Sequence, residues 1–123
     1  MMVKSYMDLL VWQKSMSLVF EVYRVIRNLP KEELYALSSQ IRRSAVSIPS
    51  NIAEGQQRNS TKEFINFLSI AKGSNAELQT QLMICVGLNY LSKEETEIAM
   101  QISNEIGKML NALTDKLRQT TNH

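Results

Sequence analysis

Two adjacent arginines are the side chains of this sequence best suited to chemistry. Arg42 and Arg43 lie within the stretch Gln40–Gly55, QIRRSAVSIPSNIAEG, and Arg58 and Lys62 follow it closely. Arginine donates two parallel hydrogen bonds to a phosphate or a carboxylate, and lysine supplies a compact positive charge. Two functions stay open: the four cations contact nucleic-acid phosphates, or they pair with carboxylates of a neighbouring helix or subunit.

The charge balance is compatible with both functions. The formal net charge is +2, from 14 Lys and Arg against 12 Asp and Glu. Residues 1–62 hold nine of the cations and five of the anions, whereas residues 63–123 hold five cations and seven anions. A basic half suits a phosphate-lined partner, and it equally suits like subunits that pack basic half against acidic half. Glu63 and Glu77 are the carboxylates that we expect to pair with the arginines in the second case.

Catalytic and metal chemistry lack the residues that they need. The single histidine is the last residue, His123, so a di-metal site built on Glu-x-x-His pairs is not predicted. Cys85 falls on the apolar side of a helical pattern and has no histidine to act as its base, so we expect a small buried hydrophobe. Glycine-rich phosphate loops and dinucleotide fingerprints are missing from the sequence. We predict a non-enzymatic protein with no cofactor, no metal and no small-molecule substrate.

Apolar residues recur in steps of three and four along most of the chain. This spacing predicts four helices, at about residues 8–28, 32–55, 61–91 and 93–118. Because the connections are short, consecutive helices must run in opposite directions. The predicted fold is all-α, an antiparallel up-down-up-down four-helix bundle, in which residues 1–123 form a single domain.

Several residues predict where these helices begin and end. Asp8 suits the N-cap of helix 1, and Ser60 and Ser92 each open a capping box. Gly55 suits the position just after helix 2, and Pro49 is expected to kink that helix.

Helix 1 has two apolar stripes. The stripe predicted to face the core consists of Leu9, Trp12, Met16, Val19, Tyr23 and Ile26. The stripe on its flank consists of Val11, Leu18, Val22 and Val25. Together they are wider than a monomeric bundle of this size needs, so the flanking stripe is predicted to form an oligomer interface.

Helix 2 has an inward face and one polar residue at its margin. The predicted inward residues are Leu34, Leu37, Ile41, Ala45, Ile48 and Ile52. Asn51 lies beside them, and a half-buried amide must find hydrogen-bond partners, so we expect a network within the bundle.

Two aromatic residues bear on nucleic-acid binding, because aromatic rings stack on bases. Trp12 lies in the middle of the predicted core stripe, where packing explains it. Tyr35 lies on the predicted outer side of helix 2 and is the better candidate for stacking.

Small residues cover the outer faces of helices 2 and 3. On helix 2 the small or weakly charged positions are Ser39, Val46, Ser50 and Ala53, beside Arg43. On helix 3 they are Gly73, Ala76, Thr80 and Gly87. Glycine inside a helix costs about 1 kcal/mol relative to alanine, so these glycines suggest a close approach of another backbone. With the flanking stripe of helix 1, they predict a symmetric homo-oligomer larger than a dimer.

The location predicted for the protein is the cytoplasm. Membrane spans need about 18 or more consecutive apolar residues, and no stretch of the sequence reaches that length. The first residues lack the apolar block and cleavage site of a signal peptide. A single cysteine fits a reducing compartment.

Several blocks of the sequence resemble a known family. They are DLLVWQKSM (8–16), LPKEELYAL (29–37), QIRRSAVSIPSNIAEG (40–55), Arg58 with STKEFINFLSIAKGSNAELQTQL (60–82), and NYL (89–91). These blocks resemble the four-helix-bundle family of 23S rRNA intervening-sequence proteins. Its relatives include the accessory variability proteins of diversity-generating retroelements.

The resemblance implies a bacterial, non-catalytic bundle that assembles into a homopentamer. In the retroelement relatives a basic surface binds nucleic acid and a reverse transcriptase, and Arg42, Arg43 and Arg58 occupy matching motif positions. Those relatives are strongly basic, whereas this chain has a net charge of +2.

Two functions therefore follow from the sequence. In the first, an oligomer binds structured RNA such as rRNA, or an RNA-handling protein, through Arg42, Arg43, Arg58 and Lys62. In the alternative, the protein is an interaction scaffold whose arginines serve its own assembly, with no nucleic-acid binding.

Overall fold

A computed structural model of the chain describes residues 5–121. The described chain holds four α-helices and two single-turn 3-10 helices, without any β-strand. The 3-10 turns are Tyr6–Asp8 and Lys31–Glu33, and the α-helices are α1 (Leu10–Ile26), α2 (Leu37–Gln56), α3 (Thr61–Gly87) and α4 (Lys93–Thr121). The prediction of four helices is confirmed.

The start of α1 differs from the prediction. Ser5 caps the first 3-10 turn, because its hydroxyl accepts the Met7 N–H at 3.2 Å. Asp8 is the last residue of that turn, and the N-cap of α1 is Leu9, whose side chain makes no capping hydrogen bond. The prediction of Asp8 as N-cap is therefore wrong: an N-cap is extended, and Asp8 belongs to the turn before it.

The start of α2 is also later than predicted. Lys31–Glu33 form a separate 3-10 turn, and Ala36, with φ −117° and ψ −97°, interrupts the helical path before Leu37. As a result Leu34 does not face the core as predicted, and its side chain is 45% exposed. The rest of the predicted inward face of α2, from Leu37 to Ile52, is buried or half-buried.

Gly55, near the end of α2, has a different role from the predicted one. The helix continues through Pro49, which is buried, and ends at Gln56, so Gly55 lies inside the helix. A β-carbon at position 55 would lie 2.6 Å from the Cβ of Phe67. Glycine is thus required by the close approach of α3, and the prediction that it follows the helix end is wrong.

Both predicted capping boxes begin helices as expected. The Glu63 N–H donates to the Ser60 hydroxyl at 3.1 Å at the start of α3. At the start of α4 the bonds are reciprocal: the Glu95 N–H donates to the Ser92 hydroxyl at 3.1 Å, and the Ser92 N–H donates to the Glu95 carboxylate at 2.8 Å. Each box satisfies N–H groups that a helix start leaves without partners.

The end of α3 comes four residues before the predicted one. Asn89 adopts φ 63°, a left-handed conformation that asparagine tolerates better than most residues. The chain then turns back, and the N–H groups of Tyr90 and Leu91 donate to the Cys85 carbonyl at 2.9 and 3.3 Å. This turn satisfies a carbonyl that the helix end would leave free.

The two stripes of α1 exchange their predicted roles. Every residue of the flanking stripe lies in the core of the single chain: Val11, Leu18, Val22 and Val25. Of the stripe predicted to be central, only Ile26 is buried, and Tyr23 is 39% exposed. The physical reason is that α1 packs against both α2 and α4, so the stripe that faces both neighbours is the buried one.

Each α-helix packs against two others. α1 and α3 both contact α2 and α4, and the contact between α2 and α3 is the most extensive. Polar side chains bridge these contacts: the Ser47 and Ser74 hydroxyls are 2.8 Å apart, and the Asn51 amide donates to the Ser47 hydroxyl at 2.8 Å. The hydrogen-bond network predicted for Asn51 is confirmed.

A second buried network joins α3 to α4. The Asn75 amide donates to the Ser103 carbonyl at 3.0 Å, and the Ser103 hydroxyl donates to the Asn75 side-chain oxygen at 2.7 Å. Both residues are buried, and sequence periodicity alone did not separate them from ordinary surface positions.

Candidate interaction surfaces

The adjacent arginines of α2 occupy different environments. Arg42 is half-buried and donates a long hydrogen bond, 3.4 Å, to the carbonyl of Leu34. Arg43 is exposed and borders a small polar cavity of about 210 Å³ between α2 and α3, which Glu77 also lines. Arg43 and Glu77 do not form an ion pair, and Arg43 has no other carboxylate partner within residues 5–121.

The side chain of Arg58 contacts residues that are close to it in sequence. Its guanidinium forms an ion pair with Glu54 at 2.7 Å, one helical turn earlier. The same group lies 4.8 Å from the centre of the Phe67 ring, which is a cation–π contact. The predicted partner Glu63 instead accepts the Ser60 hydroxyl at 3.2 Å. Lys62, beside it, is exposed and has no ion-pair partner in the part of the chain that the structure describes.

The four predicted cations are therefore spread along the molecule. Lys62 is in the first turn of α3, next to Phe64, which contacts Gly55. The path along α2 from Arg43 to Gly55 covers about 18 Å, at about 1.5 Å per residue. Arg43 and Lys62 are the two of these four cations that are exposed and lack a carboxylate partner among the described residues, and they lie toward opposite ends of α2.

The flanking stripe of α1 is not available as an interface. Its four residues are buried in the core of a single chain, so the prediction that they contact another subunit is wrong. The other stripe of α1 is partly accessible: Trp12 is half-buried, and its ring packs edge-on against Tyr6 at 5.4 Å.

An apolar groove joins that surface stripe to the small face of α2. Its volume is about 370 Å³, and three of the predicted interface positions line it: Val46, Ser50 and Ala53. The opposite wall is Tyr6 with Trp12, Met16 and Val19 of α1. Val46 is 41% exposed. The remaining position on α2, Ser39, is half-buried and lies outside this groove. The sequence missed the α1 wall because those residues match a core pattern.

The outer face of α3 is not covered by any other helix of residues 5–121. Gly73, Ala76, Thr80 and Gly87 are all exposed, and a β-carbon at either glycine would meet nothing within 4 Å. The Thr80 hydroxyl donates to the Ala76 carbonyl at 2.9 Å, so this hydroxyl is satisfied within the helix, whereas Glu77, on the same face, is exposed. Large apolar side chains are exposed beside these small residues: Ile70, Met83, Ile84 and Leu88.

Other predicted features have simple placements. Cys85 is buried, and burial, followed by the nearby charge of Glu33, raises the pKa of its thiol to about 11. Tyr35 is 92% exposed in the turn before α2.

Across residues 5–121 no His, Cys, Asp and Glu side chains gather in a group of three that could hold a metal ion. None of the described helices is long and apolar enough to cross a membrane.

Comparison with known proteins agrees with this helical architecture. A family model described as 23S rRNA-intervening sequence protein matches residues 7–112. No curated protein matches the chain. A crystal structure of a protein of unknown function from the S23 ribosomal protein family of Bacteroides thetaiotaomicron VPI-5482 is similar, with a TM-score of 0.77 and 30% sequence identity. The match covers 85% of this chain and 98% of the other. The chain therefore belongs to the family of 23S rRNA-intervening sequence proteins.

Proposed function

We propose that this protein is a non-catalytic four-helix-bundle protein that functions as a homo-oligomer, in the cytoplasm of a bacterium. The observation that supports this best is the outer face of α3. Four large apolar side chains are exposed there beside Gly73, Ala76, Thr80 and Gly87. Contiguous apolar patches on a soluble chain mark interaction sites, and small residues allow another helix to approach closely.

The apolar groove between α1 and α2 is the second surface that supports self-association. It offers Trp12, Met16 and Val46 to a partner. A face on α3 and a groove elsewhere on the molecule are two different surfaces. If one copy inserts its α3 face into the groove of the next, the contact is heterologous, and such contacts form a ring when the rotation between successive copies closes. Resemblance to the family suggests a ring of five copies.

The proposed arrangement within each copy is up-down-up-down. Pairs of contacting residues support it, because their numbers rise on one helix as they fall on the next. Between α2 and α3 the pairs are Ser47 with Ser74 and Gly55 with Phe67. Between α1 and α4 they are Lys14 with Glu105, at 2.6 Å, and Asn28 with Glu95, at 3.0 Å.

Charge substitution on the α3 face tests the self-association. Ala76→Glu places a carboxylate in the middle of that face, where burial against a neighbour would cost several kcal/mol without a partner. Gln101→Glu adds the same charge to an exposed position of α4 and serves as the matched control. We expect Ala76→Glu to reduce the mass in multi-angle light scattering and Gln101→Glu to retain it. Equal masses for both variants and the wild-type protein would argue against the α3 face.

RNA binding by the assembled protein is the second candidate function. Arg43 and Lys62 support it, because both are exposed cations without a carboxylate partner among the described residues. An oligomer repeats them several times, which multiplies weak phosphate contacts. A titration against the 23S rRNA fragment of the same bacterium at two salt concentrations tests it, because affinity that rests on phosphate contacts falls steeply with salt.

A further inference from the structure

A cavity of about 380 Å³ lies where the end of α1 meets the start of α2. Arg27 follows α1, Lys31 belongs to the 3-10 turn, and Arg42 lies one turn into α2, yet all three line this cavity. The residues that line it include no Asp or Glu. Three separate elements of the chain thus bring positive charge to one site.

These three cations are not neutralised within the described chain. Neither Arg27 nor Lys31 nor Arg42 forms an ion pair with a carboxylate of residues 5–121. Arg24, one turn before Arg27, shows the contrast: its guanidinium pairs with Glu21 at 2.6 Å, and the hydrogen bonds from that pair raise its pKa. Uncompensated cations around a concave, low-dielectric wall attract an anion.

The start of α2 lies at the same cavity. Ala36, the N-cap, has no side-chain acceptor, so the first N–H groups of a 20-residue helix lack a capping partner. Ser38 is in that first turn, is buried and lines the cavity. Free N–H groups at a helix start, together with the helix dipole, favour a phosphate.

The remaining wall is apolar and accessible. Tyr23 and Leu34 both line the cavity while more than a third of each side chain is exposed, and Ile26, Leu29 and Pro30 complete the wall. A bare inorganic anion would leave this wall uncovered. A phosphate linked through a sugar to a flat base would cover it, because the base can stack on the tyrosine and pack against the aliphatic side chains. The volume falls within the range of about 300–1,000 Å³ that is typical of small-molecule sites.

We propose that this cavity binds a nucleoside monophosphate. The phosphate is held by Arg27, Lys31 and Arg42 with the first turn of α2, and the base lies against Tyr23 and Leu34. Neither Arg43 nor Lys62 lines this cavity, so such binding is separate from the surface proposed for RNA. None of the residues proposed for self-association lines it either.

Calorimetric titration of the purified full-length protein at low salt is the first arm of the test. The probes are adenosine 5′-monophosphate, adenosine and inorganic phosphate. We expect the monophosphate to bind at least about tenfold more tightly than either fragment, since it alone engages both the cations and the apolar wall. Amide resonances of Tyr23, Leu34 and Ser38 should shift during the titration. Absence of monophosphate binding, or equal affinity for inorganic phosphate, overturns the proposal.

Single-charge variants form the second arm. Arg27→Gln and Lys31→Gln remove exposed cations that form no ion pair with the described residues, and each should weaken binding of the monophosphate by about fivefold or more. Arg24→Gln removes the same charge nearby from a residue outside the cavity and should leave the affinity unchanged. Circular dichroism verifies that all three variants fold. An equal loss of affinity in Arg24→Gln overturns the proposal, because the effect would then come from the net charge of the protein and not from this cavity.

Discussion

Gly55 on α2 lies so close to Phe67 on α3 that a β-carbon at position 55 would come within 2.6 Å of the Phe67 Cβ. Phe64 closes the other side, with its ring carbon at 3.1 Å and its carbonyl oxygen at 3.3 Å from the same point. Phe67 also receives the Arg58 guanidinium on its ring. The short connection between α2 and α3 is therefore fixed by one close backbone approach and the aromatic side chains around it.

Substitution of Gly55 by alanine should destabilise the protein. The added methyl group must displace Phe67 or the backbone of α3, and overpacking of this kind costs about 1–3 kcal/mol of unfolding free energy. Gly107→Ala is the matched control, because its β-carbon would meet only Asn75, at an ordinary 3.6 Å. The control should be neutral or gain up to about 1 kcal/mol from helix propensity. Urea denaturation measures both, and a fully stable Gly55→Ala protein would disprove the close approach.

The buried, hydrogen-bonded pair of Asn75 and Ser103 should contribute more to the unfolding free energy than the exposed amide of Asn66. Asn75→Ala leaves the Ser103 hydroxyl without its acceptor and opens a gap between α3 and α4, so we expect a loss of about 1–3 kcal/mol. Asn66→Ala, an exposed position on the same helix, should change the unfolding free energy by less than about 0.5 kcal/mol. Equal effects of the two variants in denaturant titrations would contradict this account of the α3–α4 contact.

Stability should depend on pH through Glu95. Hydrogen bonds from the Ser92 N–H, and then from the Ser92 and Asn28 side chains, hold the pKa of its carboxyl below the ordinary 4.5. Because the folded pKa is the lower one, the stabilisation is full above the unfolded pKa and is lost as the pH falls through the folded pKa. The unfolding free energies of wild type and Glu95→Gln should thus differ most near neutral pH and converge in acid.

Glu94→Gln is the control for that comparison. Glu94 occupies the same first turn of α4, is exposed, and its side chain makes no hydrogen bond or ion pair among the described residues. Its substitution should change the pH dependence much less. If both variants follow the same curve in thermal melts from pH 7 downward, the capping bonds of Glu95 do not set the dependence.

If the protein binds RNA, the predicted cations should contribute unequally to the affinity. Arg43→Gln and Lys62→Gln should each lower the slope of log affinity against log salt by about 0.7–0.9 for each phosphate that the substituted side chain no longer neutralises. Arg58→Gln should change the slope less, because Arg58 is already paired with Glu54. Lys108→Gln, an exposed cation on α4, is the control. Equal slopes for all the variants and the wild-type protein would refute phosphate binding by Arg43 and Lys62.

Sequence periodicity identified the helices but not which apolar stripe of α1 is central. Both stripes have steps of three and four, and they lie side by side on one wide face. Which stripe is buried depends on where α2 and α4 lie, and only the tertiary structure shows this. The buried stripe is aliphatic, whereas Trp12 and Tyr23 lie at its edge, where large rings can be partly exposed.

Local chemistry predicted two of the four helix starts, those of α3 and α4. The boxes at Ser60 and Ser92 depend on side chains three residues apart, so they are visible in sequence. The left-handed Asn89 and the break at Ala36 depend on how neighbouring helices direct the chain. For the interaction surfaces, the sequence found the small faces of α2 and α3, but only the fold separates Arg43 and Lys62 from the paired Arg58.

Sedimentation velocity of the purified protein at micromolar concentration tests self-association most directly. The wild-type protein should sediment as one species of about 70 kDa, which is five times the 14.1 kDa of a single chain. Ala76→Glu should shift the distribution toward smaller species. A wild-type protein that sediments as a 14.1 kDa monomer would contradict the proposed function.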